Sequence, residues 1–374
     1  MNKKFSYERY QRQVLLKELG EEGQQKLLDA KVLVVGAGGL GCPILQYLTA
    51  AGIGTIGIVD DDIVSIHNLH RQPLYGPDDV GVSKVVVATA VLHRQNPDVS
   101  FEVINERLTS GNALDILNRF DIIVDGTDNF ATRYLVNDAC VLLGKPLVFG
   151  AVLQFEGQVA VFDPNIGKEA ANYRDLFPDP PKEDEVPNCA DAGVIGVLPG
   201  IIGTLMASET IKWITGIGTP LISRMLTYNA LQNQFYEFRI TAQAGTRSKI
   251  PADAECFSNT DYVWLCAATE TVPQIDIHTF EQLRRTTDID IIDVREPGEK
   301  PEISAFQHRK RPLSLLSGLE SLPGRDTIVV FCQSGKRSNQ AVARLMNYWG
   351  DGKKIFSLTG GIEAWTKHQM TKTP

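Results

Sequence analysis

The chain reads Lys31-Val32-Leu33-Val34-Val35-Gly36-Ala37-Gly38-Gly39-Leu40-Gly41, an apolar run that leads into a glycine-rich turn, and a helical pattern continues to about Ala51. A strand, glycines spaced Gly-x-Gly-x-x-Gly and then a helix form the context of a phosphate-binding loop. The glycines allow a tight turn and close approach of a ligand, while the N–H groups and the dipole of the helix N-terminus attract phosphate. The stretch therefore predicts a nucleotide site, although a tight structural turn would show the same glycines.

Strands and helices alternate around this stretch. Strands are predicted at residues 31–35, 55–59, 99–104, 121–124 and 147–149, and helices at residues 41–51, 80–95, 111–119 and 129–143. This alternation predicts an α/β fold with a doubly wound, Rossmann-like and mainly parallel sheet. Closely spaced strands at residues 157–162, 225–229 and 235–240 predict an antiparallel extension of the same sheet.

A second, smaller α/β pattern begins near Ile275, and a chain of 374 residues exceeds the usual size of one domain. Its strands are predicted at residues 289–294 and 327–331, and a helix at residues 339–349. We therefore predict a first domain over residues 1–245, a linker over residues 246–272 and a second domain over residues 273–374. The acidic, proline-rich insert at residues 163–187 is predicted to be a mobile surface crossover.

Composition excludes several classes of protein. Apolar residues make up 43% and charged residues 22% of the chain, as in ordinary globular proteins. The net charge of −8 argues against direct nucleic-acid binding, which needs clustered positive charge. The start of the chain lacks the apolar run of a secretory signal, and the apolar stretch 193–214 contains Pro199, Glu209 and Lys212, which favours a buried helix over a membrane span. We expect a cytoplasmic protein without a membrane partner.

Polar residues follow the predicted strands of the first domain. The candidates for nucleotide binding are Gly36, Gly38, Gly39, Gly41, Asp60, Asn68, Arg71, Gln72, Lys84, Asp128 and Asn129. Because ligands bind at the carboxyl ends of strands in a wound sheet, these residues can converge on one crevice. Three cations and a carboxylate suit ATP with Mg²⁺: Arg12, Arg71 and Lys84 offset the triphosphate charge, and Asp128 holds the metal. An NAD-dependent oxidoreductase needs no such cluster.

The segments Arg9-Tyr10-x-Arg12-Gln13, Asn68-Leu69-x-Arg71-Gln72, Gly81-x-x-Lys84 and Thr127-Asp128-Asn129 occur with the glycine-rich loop in an order and spacing that resembles the MoeB/ThiF family. The members of this family are related to ubiquitin-activating enzymes. The resemblance implies ATP-dependent adenylation of the C-terminal glycine of a small β-grasp sulfur-carrier protein that ends in Gly-Gly, with release of pyrophosphate. It also implies a homodimer, in which Arg12 reaches the phosphates of the other subunit.

Many members of this family hold a structural zinc ion with two Cys-x-x-Cys pairs. Here Asn172 and Asp175 stand in the place of the first pair, and the second region offers only Cys256. Because four thiolates are not available, we predict no structural zinc site.

Cys189 lies in Pro187-Asn188-Cys189-Ala190-Asp191-Ala192-Gly193, at the end of the insert. The segment resembles the motif around a thioester-type cysteine in family members that also carry a rhodanese domain. A loop there can bring the thiol to an acyl-adenylate. A structural loop cysteine is the alternative, and the sequence leaves open whether a covalent intermediate is obligatory.

Cys332 follows a predicted strand and begins the loop Cys332-Gln333-Ser334-Gly335-Lys336-Arg337, which leads into a helix. Such a loop directs backbone N–H groups at the sulfur and can hold an anionic persulfide. Lys336 and Arg337 add positive potential for thiosulfate or another anionic donor. The loop resembles the active loop of rhodaneses, whose opening and closing signatures match residues 293–296 and 360–365, whereas the usual His-Ile-Pro-Gly-Ala stretch is not recognisable at residues 301–312.

The two assignments together predict an adenylyltransferase and sulfurtransferase. Adenylation makes the carrier carboxylate electrophilic, Cys189 can capture it, and a Cys332 persulfide supplies the sulfur of a carrier thiocarboxylate for a molybdopterin, thiamine or tRNA thiolation pathway. The sulfur donor is expected to be thiosulfate or a persulfide-bearing protein. The alternatives are an adenylating enzyme for another ubiquitin-like or peptide substrate with an inactive rhodanese domain, and a non-catalytic scaffold that senses nucleotides.

Overall fold

A computed structural model describes residues 7–167, 170–180, 193–243, 245–262, 272–296, 298–313, 325–349 and 352–370 of the protein. The chain divides into two compact units, residues 1–266 and 267–374. Each unit has its own sheet and its own apolar core.

The first unit is built on an eight-stranded mixed sheet in the order β3-β2-β1-β4-β5-β6-β7-β8. Its strands are β1 (Lys31–Val35), β2 (Thr55–Val59), β3 (Ser100–Ile104), β4 (Ile122–Asp125), β5 (Leu147–Leu153), β6 (Glu156–Phe162), β7 (Arg224–Asn229) and β8 (Gln234–Arg239). The neighbouring strands β3, β2, β1, β4 and β5 run parallel to one another. The strands β6, β7 and β8 follow at the other edge, and each pairs antiparallel with the strand before it. The predicted doubly wound sheet with an antiparallel extension is therefore confirmed.

Helices cover this sheet. They are α1 (Tyr7–Val14), α2 (Gly20–Asp29), α3 (Gly41–Ala51), α4 (Lys84–Gln95), α5 (Ala113–Asn118), α6 (Phe130–Leu143), α7 (Tyr173–Leu176), α8 (Val197–Thr215) and α9 (Ala254–Ser258). Residues 32–35 of the central strand β1 are buried, which is expected of a parallel strand with both faces covered. One core contains Leu45 and Ile202, and a second core contains Leu117 and Phe149.

The prediction that the insert between β6 and α8 is a mobile crossover is wrong for part of the insert. Tyr173, Arg174 and Asp175 are buried, with relative exposures of 1%, 3% and 5%. Arg174 is held by Asp138 of α6 in a buried ion pair, and the Tyr134 ring lies 4.9 Å from the guanidinium carbon. Long-range pairing of a charged residue, which local composition does not reveal, thus anchors the segment.

The segment predicted as a linker also packs on the first unit where the structure describes it. Phe257 is fully buried, and the Tyr262 hydroxyl donates a hydrogen bond to Asp138 Oδ2 at 2.9 Å. Burial raises the pKa of Tyr262, so its hydroxyl stays protonated as a donor.

The second unit holds a five-stranded parallel sheet in the order β11-β10-β12-β13-β9. Its elements are β9 (Gln274–Ile275), α10 (Ile277–Thr286), β10 (Asp290–Asp293), β11 (Arg309–Lys310), β12 (Thr327–Phe331), α11 (Lys336–Trp349), β13 (Lys354–Leu358) and α12 (Gly361–Met370). The smaller α/β fold predicted for this part of the chain is confirmed.

Phe306 lies before β11, in the stretch where the usual His-Ile-Pro-Gly-Ala sequence is not recognisable, and its side chain is part of the core. Its ring makes edge-on contacts with Phe280, Phe331 and Trp365. Apolar packing thus secures this stretch without the His-Ile-Pro-Gly-Ala sequence.

The helix α8 covers residues 197–214 of the apolar stretch 193–214, which was considered as a membrane span. Over the residues that the structure describes, neither this helix nor another is long and apolar enough to cross a membrane. Pro199 and Glu209 of α8 are both buried.

Candidate functional sites

A cavity of about 760 Å³ lies at the carboxyl ends of the parallel strands of the first unit. Its volume falls in the range of sites for small ligands. Its walls include ten of the eleven candidates for nucleotide binding, namely Gly36, Gly38, Gly39, Asp60, Asn68, Arg71, Gln72, Lys84, Asp128 and Asn129. The tertiary structure therefore brings together residues that the sequence spreads over nearly a hundred positions.

The eleventh candidate, Gly41, shapes the turn rather than the wall. A Cβ atom at Gly41 would lie 2.0 Å from the carbonyl oxygen of Gly36, which itself has a φ of +90°. A Cβ atom at Gly38 would meet only Gln72 Nε2, at 3.6 Å. The loop therefore needs glycine at residue 41 for close backbone packing, whereas Gly38 leaves room on the side of the cavity.

Asp60 ends β2 and binds the glycine-rich loop directly. Its Oδ2 accepts a hydrogen bond from the Ala37 N–H at 2.7 Å, and its Oδ1 accepts one from the Asp62 N–H at 2.8 Å. Burial raises the pKa of Asp60, and Lys84 and these hydrogen bonds oppose that rise. Asp60 thus couples the strand end to the loop at the wall of the cavity.

Lys84 stands at the first position of α4, and its side chain is only 5% exposed. Its Nζ lies 2.8 Å from Oδ2 of Asp62, a carboxylate that is 69% exposed. A buried ammonium group needs a partner, and an anionic ligand in the cavity could share or replace Asp62. The carboxylates of Asp60, Asp61 and Asp62 come within 4.8 Å of one another.

The segment after β2 supplies three more polar groups. Asn68 is buried and its Oδ1 accepts a hydrogen bond from the Ser65 N–H at 3.1 Å, while Arg71 donates through Nη1 to the His67 carbonyl at 2.9 Å. Gln72 is also buried, and its Oε1 makes no hydrogen bond within the described part of the chain. A buried acceptor of this kind beside a cavity suits a polar ligand.

Asp128 and Asn129 follow β4, and both are exposed toward solvent. Asn129 caps α6, since its Oδ1 accepts a hydrogen bond from the Thr132 N–H at 2.9 Å. The preceding turn is held by Asp125, which is buried and whose Oδ1 accepts from both the N–H and the hydroxyl of Thr127. Burial raises the pKa of Asp125. Asp125 therefore positions the turn that presents Asp128.

Sequence reasoning missed two cations in the wall of the cavity. Arg107 follows β3, and Arg133 lies on the first turns of α6. Arg133 donates through Nη2 to the Thr127 carbonyl at 3.1 Å, and its guanidinium stacks near Phe130 and Phe149. Neither stands in a motif, and their position after strand ends was the only available signal.

Two predicted residues lie elsewhere. Arg12 is on the exposed side of α1 and is not among the described residues that line the cavity. Cys189 falls outside the described residues. Gly193, the first described residue after Cys189, lines the cavity, and its carbonyl accepts a hydrogen bond from the Gln154 N–H at 3.1 Å.

In the second unit, Cys332 lies at the end of β12 and is 1% exposed. Its Sγ accepts a hydrogen bond from the Gly335 N–H at 3.2 Å, as expected of a loop that points N–H groups at the sulfur. Gly361 packs against this loop, because a Cβ atom there would lie 2.5 Å from the Cys332 carbonyl oxygen. Ile362 and Glu363 donate backbone hydrogen bonds to the carbonyls of Cys332 and Gln333.

The position of Arg337 differs from the expectation that it offers a cation to a donor. Its Nη1 and Nη2 donate to Oε1 and Oε2 of Glu299, at 2.5 and 2.7 Å. Hydrogen bonding from Arg337 lowers the pKa of Glu299 to about 2. The guanidinium is therefore neutralised by a fully ionised carboxylate at neutral pH.

The residues at the expected place of the first zinc-ligand pair contact each other. Asp175 Oδ2 accepts hydrogen bonds from the backbone N–H and the side-chain amide of Asn172, both at 2.8 Å. Asp175 Oδ1 accepts from the Gln243 N–H at 2.9 Å and from the Thr246 hydroxyl. The free thiols that the structure describes are Cys42, Cys140, Cys256 and Cys332, which lie in separate parts of the fold.

Family models match both units. The ThiF family model matches residues 10–249, and the rhodanese-like domain model matches residues 276–368. A sulfur carrier protein adenylyltransferase of Thermus thermophilus is 53% identical over 66% of this chain and 91% of its own length. The probable adenylyltransferase/sulfurtransferase MoeZ of Mycobacterium tuberculosis is 41% identical over 97% of this chain and 93% of its own length.

The fold also has solved counterparts. A crystal structure of Escherichia coli MccB aligns with a TM-score of 0.57 at 22% identity, covering 64% of this chain and 71% of that one. At this identity the likeness concerns the fold alone. The family matches and the near full-length relative are decisive: the chain belongs to the ThiF family and carries a C-terminal rhodanese-like domain.

Proposed function

We propose that the first unit adenylates the C-terminal glycine of a small sulfur-carrier protein with ATP, and that Cys332 of the second unit then supplies sulfur to the activated carboxyl group. The proposal makes the chain an adenylyltransferase and sulfurtransferase, as its relatives are named. The observation that carries it is the convergence of the glycine-rich loop, Arg71, Lys84 and Asp128 on one cavity.

The cavity fits ATP in its groups as well as its volume. The loop after β1 presents glycines and a helix N-terminus to a phosphate group, and four cations in the wall can offset its charge: Arg71, Lys84, Arg107 and Arg133. Gln72 Oε1 is an acceptor without a partner in the described part of the chain and can receive a donor of the ligand, and the Asp60 carboxylate lies in the same wall. Asp128 is the residue we assign to Mg²⁺, which when bound would neutralise part of the phosphate charge.

In the adenylation step, a carboxylate oxygen of the carrier attacks the α-phosphorus of ATP. The bond between the α-phosphorus and the oxygen that bridges to the β-phosphorus breaks, pyrophosphate leaves, and an acyl-adenylate forms. Charge that develops on the phosphate oxygens is stabilised by Arg71 and Lys84, and fixed donors of this kind contribute most when they are held in place before reaction. Lys84 is so held, because its side chain is buried and paired with Asp62.

In the sulfur-transfer step, the terminal sulfur of a Cys332 persulfide attacks the acyl carbon and AMP leaves. This forms an acyl disulfide between the carrier and Cys332. A thiol then attacks the Cys332 sulfur, so that the carrier departs as a thiocarboxylate and Cys332 becomes part of a new disulfide, which a second thiol reduces. Cys189 is a candidate for the attacking thiol or for an earlier acyl acceptor.

The carrier we propose is a β-grasp protein ending in Gly-Gly, in a molybdopterin, thiamine or tRNA thiolation pathway. We also propose a homodimer in which Arg12 serves the cavity of the other subunit. Arg12 is exposed on α1 and is not among the described residues that line the cavity of its own chain, which supports that arrangement.

ATP–pyrophosphate exchange tests the adenylation step. Purified protein is incubated with candidate Gly-Gly carriers, and wild type is compared with Asp128→Ala and with Asp115→Ala, a control that removes an exposed carboxylate of α5 that does not line the cavity. Carrier-dependent exchange that Asp128→Ala abolishes and Asp115→Ala retains supports the proposal. Exchange that proceeds without a carrier, or nucleotide binding without exchange for any carrier, contradicts it.

Thiocarboxylate formation tests the sulfur step. Cys332→Ala should abolish the product with every donor while leaving ATP–pyrophosphate exchange intact, and Cys256→Ala, which removes an exposed thiol, should leave both unchanged. Thiocarboxylate production by Cys332→Ala at the wild-type rate would show that the sulfur comes from another group.

A further inference from the structure

The ion pair between Arg337 and Glu299 lies at the loop that holds the Cys332 thiol. Arg337 is the last residue of the loop and belongs to the first turn of α11, and Glu299 belongs to the segment after β10. Both terminal guanidinium nitrogens bind Glu299, at 2.5 and 2.7 Å. The Glu296 N–H donates to the same Oε1 at 2.8 Å, which fixes the carboxylate in this position.

The charged groups around this loop act on one another. The pKa of Arg337 is raised chiefly by the hydrogen bonds to Glu299, with smaller Coulomb contributions from Cys332 and Glu296. Across the loop, Gln333 Nε2 donates to Glu363 Oε1 at 3.1 Å. Arg295 also acts on Glu299 through its charge, and its own guanidinium is paired with Asp293. Among the side chains that the structure describes here, both guanidinium groups that act on Glu299 are therefore already paired with carboxylates.

This arrangement bears on the choice of sulfur donor. Thiosulfate is a dianion, and its sulfonate group needs donors that are not committed to another anion. The persulfide group itself carries at most one charge, on the sulfur that is transferred, and any other charges of the donor lie several bonds away on its organic part. A carboxylate paired with Arg337 therefore disfavours the dianion more than the persulfide.

We propose that Glu299 is a specificity-determining positioning residue: by holding both terminal nitrogens of Arg337, it withholds that guanidinium from small dianionic donors and directs the loop to a persulfide donor. This inference rests on the proposed sulfur transfer through Cys332 and names its donor class. Glu299 acts through Arg337 and does not contact the sulfur.

The loading step balances for either donor. The Cys332 thiolate attacks the outer sulfur of a persulfide R–S–S⁻, the S–S bond breaks, and R–S⁻ leaves with the bonding electrons. With thiosulfate the same attack releases sulfite. In both cases Cys332 gains one sulfur atom, and no external oxidant or reductant is required.

The test is the formation of the Cys332 persulfide by the full chain, followed by mass spectrometry as the gain of one sulfur atom. Wild type, Glu299→Gln and Glu299→Asp are compared with thiosulfate and with glutathione persulfide. Glu299→Gln should lower the KM for thiosulfate about tenfold, with a much smaller change for glutathione persulfide, and Glu299→Asp should stay near wild type because it keeps the charge.

The double variant Glu299→Gln/Arg337→Gln shows whether the effect passes through Arg337. Removing Glu299 should no longer lower the KM for thiosulfate when Arg337 is absent, whereas a general loosening of the loop would act in both backgrounds. An unchanged KM for thiosulfate in folded Glu299→Gln, or an equal shift for both donors, overturns the proposal. Circular dichroism of each variant confirms that it is folded.

Wild type alone supplies a second check, which does not depend on how the variants fold. We expect kcat/KM for a persulfide donor to exceed that for thiosulfate, and the reverse order overturns the proposal. Serum albumin persulfide as a further probe separates a protein-borne from a small persulfide, and preference for either over thiosulfate agrees with the inference. If wild type loads sulfur from no donor, the sulfur-transfer function itself fails, and this inference falls with it.

Discussion

Arg174 holds Asp138 through two parallel hydrogen bonds, Nε to Oδ1 at 2.8 Å and Nη2 to Oδ2 at 2.6 Å, with side-chain exposures of only 3% and 0%. The pair joins the insert between β6 and α8 to α6, and Tyr262 adds a third hydrogen bond from the segment before the second unit. Two chain segments that look irregular in sequence are therefore fastened to the core by one buried carboxylate.

Loss of one partner of this pair should be costly. We expect Arg174→Met to lower the free energy of unfolding of the first unit by about 3–5 kcal/mol, because a buried carboxylate would lose its counter-ion. Urea denaturation measures the change. Arg119→Met is the control, since it removes an ion pair with Glu102 whose side chains are 49% and 39% exposed, and such a pair should contribute below about 1 kcal/mol. Equal effects of the two substitutions would contradict the structural role of Arg174.

The glycine-rich loop should distinguish between two of its glycines. Gly41→Ala places a Cβ atom 2.0 Å from a backbone oxygen, and backbone must move to admit it. We expect a loss of stability of about 1–3 kcal/mol or more, together with loss of nucleotide binding. Gly38→Ala meets only the end of the Gln72 side chain at 3.6 Å and should fold with nearly wild-type stability. Thermal unfolding compares the two, and a stable Gly41→Ala would contradict the close packing of residue 41 against the Gly36 carbonyl.

Lys84 should be more important to the reaction than to the fold. Replacement by Met removes a buried ammonium from the wall of the cavity, and we expect carrier-dependent ATP–pyrophosphate exchange to fall about 10²-fold or more, the size of effect seen when one fixed donor to a developing charge is removed. Lys249→Met provides the control, because it removes a lysine of similar reach whose ion pair with Asp179 is on the surface. Exchange by Lys84→Met within a factor of about three of wild type would remove Lys84 from the catalytic set.

The purified protein should contain no stoichiometric zinc. Both carboxylate oxygens of Asp175 already accept hydrogen bonds from Asn172, Gln243 and Thr246, which leaves little capacity for a metal at this position. Metal analysis by mass spectrometry is the measurement, and a chelator should leave the melting temperature unchanged. Asp175→Ala, in contrast, should lower the melting temperature, because the donors of Asn172, Gln243 and Thr246 would lose their acceptor. One zinc ion per chain would refute the prediction.

The pair between Glu299 and Arg337 should stabilise the second unit in a pH-dependent way. The pKa of Glu299 falls from 4.5 to about 2 on folding, so its contribution is complete above about pH 4.5 and is lost as the pH falls toward 2. Hydrogen exchange of peptides from α11, compared at equal pH between wild type and Glu299→Gln, reports the difference. Weaker protection in the variant at pH 6 should disappear near pH 2, and a difference that grows in acid has the wrong sign.

The sequence by itself determined the strand–helix alternation, the turn at residues 36–41 and the loop at residues 332–337. These features depend on neighbouring residues: apolar runs form strands, glycine permits the tight turn, and a helix N-terminus follows the loop. Position after a strand also placed Asp60 and Asp128 correctly at the cavity, because parallel strands end at one edge of a sheet.

Only the tertiary structure decided which distant side chains meet. It brought Arg107 and Arg133 to the cavity, joined Asp175 to Thr246, buried Arg174 on Asp138 and paired Arg337 with Glu299. Each of these contacts joins residues far apart in the chain, so no periodicity or motif records it. The energy of such a pair depends on burial and on geometry that several elements set together, and local sequence carries neither.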